Sequence, residues 1–134
     1  MKILSTVDFS TTSETILRIT KTYANKLDAE VFLIHAEPSQ TDNDNLEHDT
    51  KPESMRLKKD ALALEKAGVK VTPVFIQGPA CETILAEAIR LKVDLVIIGA
   101  HGHGGTNCKV SVGSISECIL FRSKIPVLVV PLRF

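Results

Sequence analysis

Five short apolar runs recur along this chain: "KILSTVDF", "EVFLIHA", "VKVTPVFI", "VDLVIIG" and "IPVLVVP". Most are hydrophobic at successive positions, the pattern of a strand buried on both faces. Between them lie four stretches with apolar residues at helical spacing. In the first, Ile16, Leu17, Ile19, Tyr23, Ala24 and Leu27 recur, and Thr11 and Glu14 stand at capping-box spacing near its start. In the second, Met55, Leu57, Ala61, Leu62, Leu64 and Ala67 recur before Gly68 stops the helix. The third is "GPACETILAEAIRLK", with Pro79 near its first turn, and the fourth is "SISECILFRS", with Ser114 and Glu117 at capping-box spacing.

The order βαβαβαβαβ predicts one parallel sheet with helices on both faces. Right-handed crossovers cover both faces only if the strand order reverses somewhere. At that reversal a crevice opens beyond the carboxyl ends of the strands, where ligands of open α/β sheets bind. Pro73 lacks a ladder donor and places the third strand at a sheet edge. Residues 37–54, "EPSQTDNDNLEHDTKPES", are polar, acidic and without apolar period, and are expected to form a long mobile loop.

At 134 residues the chain is long enough for one domain, spanning residues 1–134, with a sizeable core. Sixteen basic side chains balance sixteen acidic ones, so bulk charge attracts neither nucleic acid nor an anionic membrane surface. No apolar segment approaches membrane-spanning length, and the opening run is too short for a signal peptide. Cys81, Cys108 and Cys118 are odd in number and lack a CxxC spacing. That suits reduced thiols and a cytoplasmic location.

The connection after the fourth run is unusually rich in glycine. It carries Gly99, Gly102, Gly104, Gly105 and Gly113, and leads from a strand end into a helix start. Glycines admit positive φ and close approach of the backbone to a ligand. The free N–H groups and dipole of a helix start favour an anion. Together these are the parts of a phosphate cradle, although glycines that serve only turning would look the same. A Walker A loop is excluded, because Lys109 is followed by Val110, and "GHGGTN" is a poor dinucleotide fingerprint.

"KILSTVDFS", "LIHA", "ILAEAIRLKVDLVIIGAHG", the "GS" opening the last helix, and "SKIPVLVVP" together resemble the universal stress protein family. The resemblance spans nearly the whole chain and is weakest over residues 37–60. It implies an open five-stranded parallel sheet of order 3-2-1-4-5, a Rossmann-like arrangement with helices on both faces. It also implies a site for ATP, or for AMP or ADP, with Mg²⁺ carried by the nucleotide. Gly99 and Gly102 match the first two glycines of the family's G-x2-G-x9-G-Ser/Thr pattern, and Gly113 with Ser114 the closing pair. Asp8 matches the acid that contacts the nucleoside, Ala36 and Ile98 the small and apolar positions near adenine, and His101 a position beside the phosphates. Ile115 and Ser116 fall in the first helical turn beside them. Ten residues separate Gly102 from Gly113 where the pattern has nine, and "TVDFS" lacks the proline often found before the residue preceding the aspartate.

His35 reads as a satisfied core histidine, and Cys118, between Ile115 and Ile119, as an inert core thiol. His101, His103 and Cys108 lack a fourth metal ligand, so no protein-built metal site is expected. Nor does any group stand out as catalytic. The resemblance implies a homodimer through the last strand, at Val127–Val130, acting in stress response or signalling. Two alternatives stay open: a nucleotide-free interaction module, and a slow ATP hydrolase using His101 or His103 as base.

Overall fold

The computed structural model describes residues 1–8, 13–37, 52–100 and 114–131. Its elements run β1 (Lys2–Thr6), α1 (Ser13–Leu27), β2 (Glu30–Glu37), α2 (Pro52–Lys66), β3 (Val71–Gln77), α3 (Ala80–Leu91), β4 (Leu95–Gly99), α4 (Ser114–Arg122) and β5 (Val127–Val130). All four strand pairings are parallel, and the sheet order is β3-β2-β1-β4-β5. This is the α/β architecture expected from the runs, with the reversal at β1.

Side chains of each strand alternate between two cores. Ile3, Val31, Leu33, Ile97 and Val130 meet Ile16 and Ala24 of α1 and Leu57, Ala61 and Leu64 of α2. Leu4, Phe32, Ile34, Val96 and Ile98 meet Ile84 and Ala88 of α3 and Ile119 of α4. Burying an aliphatic side chain of this size contributes roughly 1.5–3 kcal/mol. Strands shielded on both faces therefore need no polar alternation.

The helical faces differ in detail from the periodicity. Tyr23, Leu27, Met55 and Leu62 are exposed. Each lies off the strip of its helix that the sheet can cover. The inward face of α1 instead includes Ser13 and Thr20, and the Thr20 hydroxyl meets Ser5 of β1 at 2.7 Å. The expected loop over residues 37–54 is shorter at both ends. Glu37 still pairs with Gln77 as the last residue of β2, and Pro52 opens α2, where its missing N–H removes no helical bond. Residues 38–51 lie outside the described residues.

The largest correction concerns the cysteines. Cys81 and Cys118 form a disulfide, with Cα atoms 6.2 Å apart. Neither is a reduced thiol, and Cys118 is not an inert one. The two are 37 residues apart in sequence, but α3 and α4 lie side by side on one face of the sheet. That brings the pair within bridging distance.

Pro73 lies on an edge strand, as expected. In a parallel strand the N–H and C=O of one residue point to the same neighbour, and successive residues alternate. The carbonyl of Lys70 accepts from Val31, and Gly78 donates to Glu37, so the even-numbered positions of β3 face β2. Pro73 therefore faces the free edge, where its missing donor costs the sheet nothing. Among the described residues no helix is long and apolar enough to cross a membrane.

Candidate nucleotide site

The carboxyl ends of β1, β2 and β4 lie side by side because β1 pairs with both of the others. β1 extends its pairing one residue past its last registered partner, as Val7 donates to the carbonyl of Ile34 at 2.9 Å. The Val7 carbonyl in turn accepts from Nδ1 of His35 at 2.8 Å. Asp8 follows directly and is half-buried. Ala36 is half-buried next to His35 on β2, and Ile98 is 2 % exposed on β4. Gly99 ends β4, and Ala100 donates to Val130 at 2.8 Å, so the chain stays in the sheet up to the glycine connection.

The start of α4 is brought to the same edge. Ser116 is buried, and its hydroxyl donates to the carbonyl of Gly99 at 2.5 Å. That bond joins the first turn of the helix to the end of β4. The first backbone N–H groups of a helix have no partner within it, and those of α4 lie at this edge. Ile115 is exposed beside them. The structure thus brings together Asp8, Ala36, Ile98, Gly99, Ser114, Ile115 and Ser116. His101, Gly102 and Gly113 lie outside the described residues, as do His103 and Cys108.

His35 is the core histidine that was expected, with both ring nitrogens engaged. Nε2 lies 2.5 Å from Oε1 of Glu37, and the ring tilts against Phe75 at 5.6 Å between centroids. A carbonyl can only accept, so Nδ1 carries a proton. Sequence reasoning assigned Glu37 to the loop and missed this pair. The signal was present: residues two apart on a strand share a face. Among the described residues no group of three or more His, Cys, Asp or Glu is placed to hold a metal ion.

The family model described as the universal stress protein family matches residues 1–131. The chain belongs to the universal stress protein family. A universal stress protein of Methanocaldococcus jannaschii is 30% identical over 156 residues, covering 96% of this chain and 93% of that protein. The solved structure of the same protein superposes with a TM-score of 0.88 at 28% identity, covering 99% of this chain and 96% of that one. Two further structures share the fold at lower identity. A universal stress protein in complex with cAMP has a TM-score of 0.75 at 18% identity, covering 99% of this chain and 98% of that one. The universal stress protein of Archaeoglobus fulgidus in complex with dAMP has a TM-score of 0.69 at 19% identity, covering 96% of each chain.

Proposed function

We propose that this universal stress protein binds an adenine nucleotide, ATP or its relatives AMP and ADP, and acts in stress response or signalling as a homodimer. The observation that carries this reading is the Ser116–Gly99 hydrogen bond, which sets a helix start at the reversal point of the sheet. Free N–H groups and the positive end of a dipole then meet the glycine connection, an arrangement suited to phosphate. The apolar Ile98 and the small Ala36 offer a surface for a flat base. Asp8 supplies an acceptor for the ribose or the base.

Ser116 uses its hydroxyl proton on Gly99, so its part is to position α4. Phosphate contacts fall to the backbone of the helix start and to Gly113 and Ser114. Mg²⁺ would arrive on the phosphates, which supply the oxygen ligands it prefers. That some family members are known in complex with cAMP and dAMP accords with an adenine ligand.

Calorimetry with ATP and Mg²⁺ tests the reading. Asp8→Ala should weaken binding by roughly 1–3 kcal/mol, the value of a hydrogen bond to a charged acceptor, without changing the far-ultraviolet spectrum. Gly113→Val should block backbone approach and reduce binding further. A parent protein that neither retains nucleotide through native purification nor binds ATP would leave the interaction module as the better account.

A further inference from the structure

The structure assigns Cys81 and Cys118 to a reversible thiol–disulfide site that sets the hold of α4 on the nucleotide, with low-molecular-weight thiols and disulfides as its reactants. The inference rests on the nucleotide reading above. Among the described residues, three attachments fix α4 near its start. Ser116 donates to Gly99, Ile119 is buried at 1 % exposure, and the disulfide ties Cys118 to Cys81. Cys81 is the second residue of α3, which starts just past the carboxyl end of β3. The covalent link therefore lies at the edge of the sheet that carries the candidate site.

Farther along, a small cleft is lined by Leu85 and Ile89 of α3, by Arg122 at the end of α4 and by Ile125 in the connection to β5. Opening the bond removes one of the three attachments and frees the helix start that faces the phosphates.

Closure is an ordinary exchange. The thiolate of one cysteine attacks a small disulfide, RS–SR, giving a mixed disulfide and releasing RS⁻. The thiolate of the other attacks the protein sulfur of that mixed disulfide, forms the Cys81–Cys118 bond and expels the second RS⁻. Two electrons pass from the protein to RS–SR, and the two thiol protons leave on two RSH. Opening is the reverse, with RSH as reductant. Cys118 is half-buried and Cys81 is 9 % exposed, so Cys118 is the more approachable side. Nη1 of Arg122 lies 3.7 Å from Cys118 Sγ, beside the charge that a freed thiolate carries.

The test uses Cys108→Ser protein, in which Cys81 and Cys118 are the remaining cysteines. Equilibration in glutathione mixtures, followed by alkylation and mass spectrometry, should show one disulfide that opens and closes reversibly. Reduction should weaken ATP binding by about 3- to 10-fold, and hydrogen exchange over α4 should quicken. By linkage, saturating ATP should shift the glutathione midpoint toward the disulfide by the same factor. Adding Cys81→Ser should reproduce the reduced affinity and abolish its redox response. Equal ATP affinity in both forms, or a bond that never opens, would overturn the inference and leave nucleotide binding intact. Absence of ATP binding in either form would overturn both.

Discussion

Ser5 and Thr20 are wholly buried, and each hydroxyl has the other as its partner across the β1–α1 interface. Thr20→Val keeps the shape but leaves the Ser5 hydroxyl without that partner in an apolar setting. Such an orphan costs about 1–3 kcal/mol. The double variant Ser5→Ala, Thr20→Val removes both groups and should recover part of the loss. Urea unfolding of the parent, both single variants and the double variant measures the coupling, and additive losses would contradict it. A second residue-scale effect is electrostatic. The side chain of Arg90 donates two hydrogen bonds to Glu87, one turn earlier on α3, and holds the Glu87 carboxyl below its ordinary value of 4.5. A depressed folded-state pKa gives stability that is complete above the unfolded value and lost as pH falls through the folded one. Glu87→Gln should therefore destabilise at neutral pH and flatten the acid limb below pH 4.5. Unfolding midpoints at neutral and acid pH test this, and identical acid limbs would show that the pair is screened.

At the scale of elements, the β3–α3 turn is tightly constrained. Gly78 donates to Glu37 at 2.8 Å and has φ +139°, a region that side chains disfavour. A Cβ there would stand 2.6 Å from Cγ2 of Thr83. Thr83 has little freedom to move, because its hydroxyl donates to the carbonyl of Pro79 at 2.8 Å. Gly78→Ala is expected to cost about 1–3 kcal/mol through backbone strain and this clash. Thermal or urea unfolding measures it, and an unchanged midpoint would mean that the turn relaxes. Because the same turn delivers Cys81 to α3, its geometry also sets where the disulfide can reach.

On the scale of the whole molecule, the two edges of the sheet differ. Pro73 interrupts the outward donors of β3. On β5, Pro126 is the acceptor for Val96, and Val130 for Ala100, so the even-numbered positions face β4. Val127 and Val129 therefore present their N–H and C=O groups outward, and Pro131 adds no donor. An open apolar edge of this kind needs covering. A two-fold axis through Leu128 would set Val127 opposite Val129 of a second copy and satisfy both on each side. Val129→Pro removes an outward donor without removing a bond to β4. It should convert a dimer into a monomer in sedimentation at micromolar concentration. A parent that sediments as a monomer, or a Val129→Pro protein that still dimerises, would exclude this pairing.

The sequence by itself determined the element order, the parallel sheet and the edge position of β3. Each follows from local patterns: successive apolar residues, helical periodicity, and a proline without a donor. It also placed Asp8, Ala36, Ile98, Gly99 and Ser116 at strand ends or a helix start, because connections follow from the element order. Tertiary structure decided what depends on distance across the fold. Cys81 and Cys118 carry no local sign of one another, and only the packing of α3 beside α4 pairs them. Ser116 reads as a hydroxyl in the first turn of the last helix, and only the fold shows its proton going to Gly99. Tyr23 and Met55 fit the helical period, yet the width of the sheet leaves them in solvent. Periodicity reports which residues share a face, whereas burial and bonding depend on what that face meets.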